Sequence, residues 1–251
     1  MRADQIALQL WTVRDLAAAD LPGTLTAVAA AGYRSVELAG LPEIATDDLA
    51  ELLEKAALRP VAAHVGIDLL RTGLDEVATR HVGLGCDRII VPWLAEEERR
   101  TADDARRLAS ELNGFGRQLA DRGIRLGYHN HAFEFASLDG TTVWDVLLGE
   151  LGPDVELELD VFWASVGGRD PAAVIRDLGS RIRLLHMKDR AAGPEPRDAP
   201  AGDGVLDFPG IVAAARDAGV EWFVAEQDEP EDALADISRA YTNLHELAST
   251  M

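Results

Sequence analysis

Short apolar runs alternate with longer amphipathic stretches along the whole chain. Each short run is bounded by turn chemistry and predicts a strand: Ile6–Val13, Ser35–Leu41, Val61–Ile67, Arg88–Leu94, Arg125–His131, Glu156–Trp163, Ile182–Asp189 and Trp222–Asp228. Between them, Thr24–Ala31, Asp47–Ala57, Ala102–Arg122 and Phe208–Ala218 repeat apolar residues at helical spacing. Ala31-Gly32, Arg122-Gly123 and Ala218-Gly219 look like helix ends closed by a left-handed glycine. Asp170-Pro171 looks like an N-cap followed by proline in the first turn. Eight strand–helix units in series predict an α/β fold, a (β/α)8 TIM barrel, as one domain spanning 1–251, and the length suits such a barrel. An open doubly wound sheet is the alternative architecture. No dinucleotide fingerprint follows the first strand, and no phosphate loop with GK[ST] occurs. Ala191–Gly204, rich in Ala, Pro, Gly and charge, follows the seventh strand and is expected to be a mobile loop over the site.

The net charge of −20 disfavours nucleic acid and anionic membranes as partners, since both require a basic surface. No apolar run approaches the ~18 residues that span a bilayer. The lone Cys86 excludes an internal disulfide, and with no signal peptide recognisable it points to the reducing cytoplasm. A small molecule is the expected partner, and a homo-oligomer stays open.

The polarity of the late strands changes the picture. Alternation puts Glu156, Glu158 and Asp160 on one strand face, Leu184, His186 and Lys188 on another, and Trp222, Val224, Glu226 and Asp228 on a third. His64 ends the third strand, while His129 and His131 end the fifth, with Glu134 just beyond. A barrel builds its active site at these carboxyl ends. Inward carboxylates stay charged only when something pairs with them, and a divalent cation would do so. Glu134, Asp160, His186 and Glu226 would supply three carboxylates and one imidazole, a set suited to Mn²⁺, Mg²⁺ or Co²⁺ and open to Zn²⁺. Singly, each has a plainer reading: Asp160 as an ion-pair partner of Lys188, Glu226 as a turn cap, His186 as a hydrogen-bonded core residue. Trp11, Trp93 and Trp163 stand at strand ends, where they could wall a sugar face or simply pack.

The same positions carry a family resemblance along nearly the whole chain. YHNHAFEF (Tyr128–Phe135), LDVFW (Leu159–Trp163) followed by GGRDP, LLHMKDR (Leu184–Arg190), AGDGVLDF (Ala201–Phe208) and FVAEQDEP (Phe223–Pro230) resemble the sugar phosphate isomerase/epimerase group of xylose isomerase-like TIM barrels. The resemblance implies a metal held by Glu, Asp, His and Glu from strands five to eight, with Glu134 in the first position. Trp163 replaces the family's histidine after the sixth-strand aspartate. FVAEQDEP and HMKD also resemble an inositol-ketone dehydratase branch.

The expected chemistry is enolisation. A divalent ion beside a carbonyl and its neighbouring hydroxyl acidifies the shared C–H, and a carboxylate removes the proton. Glu134 and Glu226 are the expected proton carriers and Lys188 the group that steadies the enediolate; His64, His129 and His131, with the tryptophans, are expected to contact substrate. Return of the proton gives an isomerase or epimerase acting on a sugar or keto-sugar. Loss of a β-hydroxyl gives a dehydratase or lyase acting on a keto-inositol or keto-sugar. The absence of a basic cluster favours an unphosphorylated sugar or polyol ketone. A non-catalytic sugar-binding protein and an abasic-site phosphodiesterase are the remote alternatives; the acidic surface opposes the second.

Overall fold

The computed structural model describes residues 1–138 and 140–250. Eight parallel strands close a barrel: β1 (Ile6–Gln9), β2 (Ser35–Leu38), β3 (Arg59–His64), β4 (Arg88–Val91), β5 (Arg125–His129), β6 (Val155–Asp160), β7 (Ile182–Met187) and β8 (Trp222–Ala225). Each strand pairs with its neighbours in sequence, and β8 closes onto β1 through Ile6↔Phe223 and Ala7↔Val224. This is the (β/α)8 TIM barrel that the alternation predicts, and the open sheet is excluded.

Most strands stop short of their predicted carboxyl ends. Leu10–Val13 turns into a 3₁₀ helix, and Val161–Val166 becomes a short α-helix. Leu10 and Val13 in the first segment, and Val161, Phe162 and Ala164 in the second, are buried without extending the sheet, so hydrophobicity alone carried the predicted strands too far. The helices fall where the periodicity puts them, over Leu21–Ala30, Thr46–Lys55, Ala102–Ala120 and Phe208–Ala218. Asp170 caps Pro171–Leu178 by accepting a hydrogen bond from the Ala172 N–H at 3.0 Å. Gly219 adopts the left-handed conformation that ends its helix.

The barrel interior is layered. Ala7, Val61, Ala62, Ile90, Leu184 and Val224 form an apolar plug at mid-height. A β-carbon on Gly127 would sit 2.5 Å from Ile90 Cδ1, so the bare backbone of β5 makes room for that isoleucine. At the amino end, buried Arg88 donates to Glu156 and Glu221, each at 2.7 Å. Above the plug, β2 and β6 each shift register, at Val36/Glu37 and at Leu157/Glu158. Such bulges re-aim a side chain, and here the glutamates beside them are both fully buried.

The segment expected to be mobile is fastened. Asp189–Arg190 pairs with Asp198–Ala199 as an antiparallel hairpin. The buried Asp189 carboxylate accepts hydrogen bonds from the N–H groups of Gly202, Gly204 and Leu206 at 2.9–3.1 Å. Three backbone donors on one carboxylate hold the hairpin over the barrel mouth. Among the described residues, no helix is long and apolar enough to cross a membrane.

Candidate active site

The carboxyl ends of the strands frame a cavity of about 720 Å³. Its lining includes His64, His129, His131, Trp163, Lys188, Glu226, Trp11 and Trp93, all singled out from the sequence. Pro196, Arg197 and Asp198 of the hairpin close one side.

Two charge networks meet at the cavity floor and share His186. In the first, Glu158 Oε2 receives three imidazoles: His64 Nε2 at 2.8 Å, His129 Nδ1 at 3.1 Å and His186 Nε2 at 3.1 Å. Glu37 reaches the same His186 nitrogen at 2.8 Å and accepts from Gln9 Nε2 at 2.9 Å. Burial and the neighbouring Glu158 charge push the Glu37 carboxyl up. Glu158 is held well below the ordinary carboxylate range, because the His186 charge and the imidazole hydrogen bonds outweigh its burial. In the second network, His186 Nδ1 donates to Glu226 Oε2 at 2.7 Å. The Lys188 ammonium lies 3.1 Å from Asp160 Oδ2, 2.8 Å from Glu226 Oε2 and 2.7 Å from Asp228 Oδ2. Burial opposes charge on His186 and Lys188, but the carboxylates outweigh it and hold both well above their ordinary values. Burial pushes Asp160 up to about 6 against the pull of Lys188. Burial lowers His129 well below its ordinary value, and lowers His131 to about 3.

Two groups of side chains bring one ligand atom each within 4.8 Å of one another: Asp160, His186 and Glu226; and His64, His129, Glu158 and His186. Glu37 Oε1 and Glu158 Oε1 are buried and accept no hydrogen bond, and Asp160 Oδ2 has the Lys188 ammonium beside it but no hydrogen bond of good geometry. Carboxylate oxygens without a hydrogen bond beside an imidazole suit a divalent cation, which would take the place of a His186 proton now shared with a carboxylate, so the donor set fits a metal.

Three of the four ligands expected from the sequence therefore come together, and Glu134 stands apart. Its carboxylate is buried, accepts from the Tyr128 hydroxyl at 2.6 Å and the His131 N–H at 2.8 Å, and does not line the cavity. Burial raises it to about 7. The fifth-strand residue that reaches His186 is His129, with ring centroids 4.5 Å apart. Glu37 and Gln9 were missed from the sequence. The alternation that turned Glu158 inward, applied to Ser35–Leu38 and Ile6–Gln9, would have turned both inward as well.

The xylose isomerase-like TIM barrel family profile matches residues 25–244. The chain belongs to that family. An inosose dehydratase from Lacticaseibacillus casei is 27% identical over 147 residues, covering 51% of this chain and 49% of the relative. The chain thus aligns with about half the length of such curated relatives. A sugar phosphate isomerase/epimerase structure from Parabacteroides distasonis ATCC 8503 superposes with a TM-score of 0.82 at 25% identity, over 97% of this chain and 93% of that one. The IolI protein, solved with a zinc atom, superposes with a TM-score of 0.78 at 19% identity, over 98% of each chain. Family members include isomerases or epimerases and dehydratases, all enzymes.

Proposed function

We propose that this chain catalyses metal-assisted proton removal beside the carbonyl of an unphosphorylated keto-sugar or keto-inositol, and that the net reaction is loss of a β-hydroxyl as water. The observation that carries this reading is the lopsided cavity. Asp160, Glu226 and Asp228 cluster around Lys188 on the β6–β8 side, and His64, His129 and His131 come from β3 and β5. An epimerase with two carboxylate proton carriers needs a second carboxylate facing Glu226. Glu134, the partner expected from the sequence, is tied to Tyr128 outside the cavity.

A divalent ion held by Asp160, His186 and Glu226 would polarise the carbonyl and acidify the adjacent C–H. Glu226 is the base, with Lys188 beside it to stabilise negative charge on the substrate oxygen. His64, paired with buried Glu158, is the proton donor to the departing hydroxyl. Two of the cations lining the cavity are already paired with carboxylates, Arg197 with Glu231 and Lys188 with Asp160, Glu226 and Asp228, while Arg14 donates to the Trp11 carbonyl and stacks on its ring. This favours a neutral substrate over a phosphate ester. Similarity to inosose dehydratases supports the elimination.

Isomerisation or epimerisation is the second reading, favoured by the likeness to the P. distasonis protein over nearly the whole chain. Proton NMR of 2-keto-myo-inositol and common ketoses incubated with the protein and Mn²⁺ separates the two. A dehydrated product with loss of water is expected; an isomer of unchanged mass would replace elimination with the second reading.

A further inference from the structure

The cavity extends well beyond the reacting groups. Of the chain's five tryptophans, Trp144 is buried, Trp163 and Trp222 are half-buried, and Trp11 and Trp93 are 40% and 53% exposed. Both exposed rings line this one cavity, which also reaches Lys188 and Glu226. Leaving two indoles in water forfeits burial of some of the largest apolar side chains, so their shared position calls for a ligand.

Trp11 is posed rather than loose. A β-carbon on Gly40 would sit 2.8 Å from its ring, so the indole rests against bare backbone, and Gly40 has a positive φ of 64°. The Arg14 guanidinium stacks over the ring at 4.5 Å while donating to the Trp11 carbonyl at 2.9 Å. A platform held in this way loses little side-chain entropy on binding.

Size points the same way. A cavity of about 720 Å³ lies in the range that encloses drug-sized ligands. A single sugar or inositol ring, with about a dozen heavy atoms, fills only the polar end of such a space. The acidic residues Asp198, Asp228 and Glu229 along the lining discourage an anionic extension.

We propose that Trp11 and Trp93 form an outer subsite for a second, uncharged ring, so that the substrate is a glycoside or an aryl-substituted sugar rather than a free monosaccharide. The proposal rests on the sugar reading of the inner site. Its test uses unreactive probes: the methyl and phenyl β-glycosides of glucose and galactose, and cellobiose, titrated calorimetrically against the intact protein. At least one two-ring probe should bind about tenfold more tightly than its one-ring counterpart, as expected for one good ring contact. In Trp11→Ala and Trp93→Ala that ratio should fall towards one, and unchanged circular dichroism would show that the variants fold. Equal affinity for one- and two-ring probes, no measurable binding of the two-ring probes, or a ratio that survives in the double variant would overturn the proposal. No turnover is involved, so this test can fail while proton exchange into keto-sugars succeeds, and the reverse.

Discussion

Glu226→Gln lowers turnover by ~10²–10⁴-fold at matched metal occupancy, the loss expected when a general base is removed from a proton transfer. Glu226 lines the cavity, and its Oε2 sits 2.7 Å from His186 Nδ1 and 2.8 Å from Lys188 Nζ. Burial would raise its pKa, but Lys188 and His186 outweigh burial and keep the carboxylate charged. Glutamine keeps the shape and loses the basic oxygen. Metal content has to be measured alongside rate, because the same oxygen belongs to the proposed ligand set. Glu134→Gln is the informative contrast. Its carboxyl group faces Tyr128 and the His131 N–H, so the expected damage is to stability, about 1–3 kcal/mol for a buried hydrogen-bonding partner left unsatisfied, read from urea denaturation. Equal catalytic losses in the two variants, with metal bound, would restore Glu134 to the role expected from the sequence.

Lys188→Met should destabilise the metal-free protein by roughly 3–5 kcal/mol, the cost of stripping the partner from a buried charge cluster. Lys188 is 1% exposed and contacts Asp160, Glu226 and Asp228. Methionine preserves most of the apolar stem, which isolates the effect of charge. Added Mn²⁺ should recover part of the loss, since a divalent cation can neutralise Asp160 and Glu226 in place of the ammonium. Urea midpoints with and without Mn²⁺ give the comparison. A metal-free variant as stable as the parent would mean that these carboxylates do not depend on Lys188.

The barrel was legible because its rhythm is local: an apolar run, a turn, an amphipathic helix, repeated. Asp160, His186, Lys188 and Glu226 were legible because alternation along short strands shows which side chains point inward. Glu134 was not legible in the same way. It lies beyond β5, in a 3₁₀ turn over Phe133–Phe135, and the path of that turn depends on tertiary hydrogen bonds to Tyr128 and His131. The hairpin after β7 was hidden for a similar reason. Its composition suggests mobility, and only the fold shows Asp189 gathering three backbone N–H groups. Glu37 could have been found: the alternation that turns Glu158 inward puts Ser35 and Glu37 together on the inner face of β2, where both are buried.

The most direct test of a metal-assisted enolising site is solvent exchange. Dialysed protein, incubated in D₂O with keto-sugars and keto-inositols, should move deuterium into the C–H beside the carbonyl when Mn²⁺ is supplied. A chelator should reduce exchange to background, and Asp160→Asn should bind markedly less Mn²⁺ and exchange little. Exchange that ignores both the chelator and the Asp160 substitution, or no exchange with any keto substrate in the presence of bound Mn²⁺, would contradict this account.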